Sequence, residues 1–204
     1  MHGEVRIPPI SPARVQAVLK KNIYLLSKKM DSKSWQLRDV AVSAKGAKSC
    51  ALVKSPNEKV FLKLGSKQEP LRTPFGATSF NDEAATRKTL EFSLSPEQVE
   101  QWNLFDAWAL EYLQKHSERL FKKKLSAAEV KAAYKSPVTQ KADYRPHLRC
   151  KINTGGIAAA RIWDDADSRT VLPDDLREFD IIPRIHISHL WIMGAAKDFG
   201  WFCR

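Results

Sequence analysis

Thr89-Leu90-Glu91-Phe92-Ser93-Leu94-Ser95-Pro96-Glu97-Gln98 changes its periodicity halfway along. The first half alternates, with Leu90, Phe92 and Leu94 on one side, as a strand with one buried face does. The second half is a helix start. Ser95 can cap the first amides, Pro96 takes the first helical position, where its missing N–H costs nothing, and Gln98 stands where a capping box needs it. Val99, Trp102, Phe105, Ala109, Tyr112, Leu113, His116 and Leu120 then recur at helical spacing to about Phe121. With the short strands on either side of this helical stretch, the chain reads as α+β.

Working outward, Ser126-Ala127-Ala128-Glu129 repeats the capping pattern and opens a second, shorter helix through Val130, Ala133 and Tyr134, ended by Ser136-Pro137. Strand patterns lie on both sides. Cys50-Ala51-Leu52-Val53 and Val60-Phe61-Leu62-Lys63-Leu64 flank the turn Ser55-Pro56-Asn57-Glu58 and predict a hairpin. Residues 71–80 form an extended loop. Residues 148–152 alternate, Gly155-Gly156 turns into a strand over 157–163, and 181–193 and 199–203 are the last two strands. Residues 1–12, with Pro8, Pro9 and Pro12, are an irregular arm, and 15–30 fit a short helix or two strands equally. Short strands around one helical insertion, at about residues 95–136, suggest an oligonucleotide-binding-like β-barrel. The expected division is a basic N-terminal region, 1–59, as arm or part of the barrel, and a barrel domain, 60–204.

The charge is segregated. Residues 1–72 hold 15 Lys and Arg against 5 Asp and Glu, and 115–151 hold 11 against 3, while 73–114 hold 2 against 7 and 152–204 hold 6 against 8. Blocks of cations interleaved with six Trp, nine Phe and four Tyr suit a single-stranded polynucleotide, because cations release its counterions and rings stack on unpaired bases. A hydrophobic content of 43% supports a core without metals or disulfides. Cys50, Cys150 and Cys203 are odd in number and widely spaced, which argues against a disulfide framework or a zinc site and for a reducing, intracellular compartment. No apolar run is long enough for a membrane span, and the N-terminus lacks a signal-peptide core.

Catalytic patterns are sparse. There is no GxxxxGK[ST] and no GxGxxG. His186 and His189, three apart on a strand, should point to opposite faces and chelate poorly. Asp164, Asp165 and Asp167 could hold divalent ions as in a nuclease, but between two apolar runs they are ordinary turn residues. The expectation is a binding protein, not an enzyme, with no cofactor or metal.

Candidate contacts follow from cations beside aromatics. In the N-terminal block these are Lys28, Lys29, Trp35, Arg38 and Lys63; in the loop and the following strand, Arg72, Phe75, Phe80 and Arg87; between the helices, Lys122 and Lys123. Arg145, Arg149 and Lys151 form a row along one strand, which Arg161 and Trp163 extend. Trp102, Phe105 and Trp108, being helical, and Trp191 and Trp201, inside apolar strands, belong to the core.

The final third adds a likeness. Ile185-His186-Ile187, Leu190-Trp191-Ile192-Met193 and Phe199-Gly200-Trp201, after Thr73-Pro74-Phe75-Gly76, the helix over 95–121 and Tyr144-Arg145-Pro146-His147-Leu148-Arg149-Cys150-Lys151, resemble single-stranded DNA-binding proteins encoded by large double-stranded DNA viruses, including algal viruses. The resemblance covers residues 60–204. It implies an oligonucleotide-binding barrel, sequence-independent coating of single strands, self-association along the strand, replication proteins as partners, and a role in replication or recombination in the nucleus or at a viral replication site. Such proteins often carry an acidic C-terminal tail, and this chain stops at Arg204, so the tail is either removed or missing. RNA binding, a basic scaffold for an acidic partner and a metal-dependent nuclease are the alternatives.

Overall fold

The structure, a computed structural model, describes residues 32–204 except 56, 80–84, 141, 142, 158, 165 and 195. The predicted contacts Lys28, Lys29 and Phe80, and the readings of 1–12 and 15–30, fall outside the described residues. Two compact units divide the chain, Met1–Lys33 and Ser34–Arg204, and the second holds every element below.

The class is α+β, dominated by strands. A seven-stranded sheet runs β1 (Trp35–Leu37), β3 (Lys48–Lys54), β4 (Glu58–Lys63), β14 (Arg184–Met193), β15 (Asp198–Cys203), β8 (Tyr134–Lys135), with β2 (Ala41–Val42) on β3 and a further β3–β14 pairing. A six-stranded sheet runs β13 (Phe179–Ile181), β5 (Leu71–Thr73), β7 (Arg87–Ser93), β10 (His147–Asn153), β9 (Val138–Thr139), with β6 (Ala77–Thr78) on β7. A two-stranded hairpin, β11 (Ile162–Trp163) and β12 (Arg169–Thr170), stands by itself. Among the described residues neither larger sheet pairs its last strand with its first, so no closed barrel forms.

The strand-to-helix switch is where the sequence placed it. In α1 (Pro96–Lys115) the Gln98 amide donates to Ser95 Oγ at 3.3 Å and the Ser95 amide donates to Gln98 Oε1 at 2.8 Å. The periodicity suggested one helix to Phe121, but the chain breaks at His116 and restarts as α2 (Ser117–Phe121). Buried Ser117 donates to the Gln114 carbonyl and accepts from the Leu125 amide, tying the next loop back onto the helix end. The third helix, α3 (Ala127–Ala133), has its own capping box between Ser126 and Glu129. It ends before Tyr134, which turns extended to pair in parallel with β15.

One face of α1 fills the core. Phe105 lies 6.1 Å from Trp35, 5.2 Å from Trp102 and 5.3 Å from Trp201, ring to ring, while Phe199 stacks on Phe121 at 4.8 Å. Each fully buried large side chain contributes about 1.5–3 kcal/mol. Leu148 and Cys150 bring the second sheet's inner face to the same core. Trp35 therefore cannot stack on a base. It is a core residue, only 8% exposed, because it lies on the inward side of β1 with Leu37. A polar clamp joins α1 to the β8 segment, with Tyr134 OH and Ser136 Oγ donating to Asp106 at 2.6 and 2.7 Å. Burial pushes the Asp106 carboxyl above its ordinary range, against these hydrogen bonds.

Three other expectations are corrected. The predicted hairpin pairs only at its turn end, Val53 with Lys59 and Lys54 with Glu58, since the rest of β4 pairs with β14. The strand over 181–193 is interrupted before Arg184 by buried Pro183, which has no amide to give a ladder. Of the strand over 157–163, only Ile162–Trp163 forms.

Candidate nucleic-acid interface

β4 and β14 alternate strictly where they pair. Val60, Leu62, Ile185 and Ile187 point inward, so Lys59, Phe61, Lys63, Arg184 and His186 share the outward face. Phe61 and His186 are cross-strand partners with ring centroids 5.2 Å apart, and the Arg184 guanidinium lies 4.3 Å from the Phe61 centroid. A guanidinium over the face of an aromatic ring is attracted by the ring's quadrupole.

The next residues break the alternation. Ile187 stands opposite Cys203, but His189 stands opposite Phe202, leaving Ser188 as one extra residue, a β-bulge held by its hydroxyl donating to the Phe202 carbonyl at 2.9 Å. The bulge turns His189 to the same outward face as His186. The expectation of opposite faces fails because it assumed an uninterrupted strand. His189 stacks on Phe202 at 4.8 Å and 8°. The guanidiniums of Arg87, from β7, and Arg204 lie 4.6 and 5.4 Å from the Phe202 centroid. Arg204 and His186 exchange backbone hydrogen bonds at 2.8 and 3.0 Å.

The result is one face on which Lys59, Lys63, Arg87, Arg184 and Arg204 surround four rings. None of the five cations forms an ion pair with a carboxylate among the described residues. Both imidazoles titrate below the ordinary histidine range. For His186 burial is the main cause, followed by Lys59, Arg204 and His189; for His189 it is burial, then Arg204 and Arg87. Trp191 continues the face one row further, opposite Ser49 and Gly200, half-buried and outward rather than in the core. Trp201 is core, as expected.

The predicted contacts divide around this face. Lys63 and Arg87 are on it. Arg149 and Lys151 share the outward face of β10, as the row reading required, but Arg149 is paired with Glu91 at 2.8 Å and Lys151 donates to Thr89 at 2.6 Å. Arg72 is held by Asp180 and Glu178, and Lys123 by Glu129. Phe75, 51% exposed, stacks on His147 at 5.8 Å. Arg38, Lys122 and Arg145 are exposed, on β1's exit, on the turn ending α2 and ahead of β10. Trp163 belongs to the separate β11–β12 hairpin, 54% exposed opposite Arg169, and Arg161 is exposed just ahead of it.

The reading missed Lys59, Phe61, Arg184, His186, His189, Phe202 and Arg204. Lys59-Val60-Phe61-Leu62-Lys63 and Arg184-Ile185-His186-Ile187 do carry a signal, since cation and ring alternate with aliphatics. The Asp164 cluster is a turn: Asp164 Oδ1 accepts from the amides of Ala166 and Ser168 at 3.0 and 2.8 Å. Among the described residues no group of three His, Cys, Asp or Glu is placed to hold a metal, and no helix is long and apolar enough to cross a membrane.

No family model, curated protein or solved structure significantly matches this chain.

Proposed function

We propose that this protein binds single-stranded DNA without base readout, through the outward face of β4, β14 and β15. One observation carries the reading: five cations with no carboxylate partner among the described residues converge there on Phe61, His186, His189 and Phe202. Phosphates would be met by the lysines and arginines, each neutralised phosphate contributing about 0.7 to the salt dependence of a single strand. Unpaired bases would stack on the guanidinium and imidazole planes, each stack worth about 1–3 kcal/mol. The viral resemblance supports the same ligand class. Within this proposal the two sheets act as an opened oligonucleotide-binding-like barrel, and coating of strands with other copies and with replication proteins is the role it serves.

Titration with oligo(dT) while following tryptophan fluorescence tests the reading. Trp191, beside His189 on the face, is the expected reporter, so Trp191→Phe removes most of the signal. Binding should weaken steeply as salt rises. Failure to retard a thirty-mer in dilute buffer would overturn DNA binding and leave the basic-scaffold reading. Preference for RNA in direct competition would redirect the proposal to RNA.

A further inference from the structure

The outward face of the second sheet meets the proposed site at Arg87, whose guanidinium lies over the Phe202 ring. On β7 and β10 the outward rows are His147 with Ser93, Arg149 with Glu91, Lys151 with Thr89, and Asn153 with Arg87. Arg87 closes that series and reaches over Phe202 on the first sheet. At the opposite end, His147 stacks on half-exposed Phe75. One ring station, Phe75–His147, thus stands at one end of this strand pair, and a second, Phe202–His189 on the first sheet, is reached from the other end through the Arg87 side chain. Six residues of strand separate the His147 row from the Arg87 row, about 20 Å at the rise of an antiparallel strand. Arg149 and Lys151 lie between.

We infer that a single strand runs along β7 and β10, stacking at Phe75–His147 and at Phe202–His189, with Arg149 and Lys151 holding the phosphates between. This rests on the reading given under Proposed function and adds the direction and minimum length of the ligand. The occupant follows from charge and shape: the path offers cations at intervals along an extended row and rings at its ends. Glu91 is the one carboxylate on the β7–β10 rows; its side chain is 25% exposed, but that of Arg149 is 64% exposed and open to a phosphate. A surface ion pair contributes about 0–1 kcal/mol, little enough for a phosphate to displace it.

The length of the ligand provides the test. An oligo(dT) of nine nucleotides covers about 30 Å even at the spacing of a stacked strand, whereas three nucleotides cannot reach both stations. Affinity is measured by fluorescence anisotropy at low salt for both lengths. The nine-mer should bind at least tenfold more tightly than the three-mer. Phe75→Ala should lower that ratio about tenfold, as loss of one stack does. Glu91→Gln, which frees Arg149 without touching a ring, should tighten the nine-mer. Nine-mer binding with the ratio unaltered by Phe75→Ala, or weakened by Glu91→Gln, overturns the path while leaving the site on the first sheet standing. Absence of binding by a thirty-mer as well overturns both.

Discussion

At Gly200 a single hydrogen atom decides whether the proposed binding face can form. A Cβ there would collide with the Lys135 carbonyl and lie 2.8 Å from Trp191 Cζ2, so the indole can lie flat over β15 only because nothing projects beneath it. Gly200→Ala should destabilise the fold by about 1–3 kcal/mol, the usual cost of overpacking, measurable by urea denaturation, and should alter Trp191 emission. The two histidines make a second prediction. Both imidazoles are depressed below 6.5, so below that pH the unfolded chain binds more protons than the folded one, and stability falls as pH drops through about 6.5 toward their lowered values. Phosphate beside them acts in the opposite direction by favouring the charged rings. His186 faces Phe61, Lys59 and Arg204, and His189 faces Ser188, Phe202, Arg204 and Arg87, with no carboxylate side chain among these neighbours. DNA affinity should therefore rise between pH 7 and 5.5 while free-protein stability declines, and His186→Gln with His189→Gln should flatten the affinity profile.

Among the elements, α1 orders the core that supports the face. Ser95→Ala removes the acceptor for the Gln98 amide and should cost about 1 kcal/mol in thermal or urea unfolding. Tyr134→Phe should cost about 1–3 kcal/mol, because it removes a donor from a buried carboxylate. Caps of this kind were readable in advance, since Ser-Pro-Glu-Gln and Ser-Ala-Ala-Glu state their geometry locally. The inward alternation of β7 and β10 was equally readable. What the sequence could not reveal were features set by partners distant in the chain. The Ser188 bulge exists only because β14 and β15 differ by one residue in register, and it placed His189 on the outward face. Trp35 looked like a ring among cations until its strand was seen to face Phe105 and Trp108. Arg72 and Arg149 looked like free cations because Asp180 and Glu91 reach them through sheet pairing.

For the whole molecule, the charge blocks of the sequence do not map onto the face, since Arg87, Arg184 and Arg204 come from the two net-acidic stretches, 73–114 and 152–204. Arg72, Arg119, Lys123, Lys135 and Arg149 are each matched by a carboxylate, whereas the cations around Phe61 and Phe202 have none among the described residues. Net charge alone attracts any polyanion weakly, but an unmatched cluster beside rings concentrates that attraction in one place. The most direct measurement is the slope of log affinity for oligo(dT) against log salt concentration, compared between the native chain and Arg184→Gln. The account predicts a steep slope that Arg184→Gln makes shallower by about 0.7, one phosphate contact, while Lys131→Gln on α3 leaves it unchanged. A slope that responds equally to both substitutions, or to neither, would contradict it.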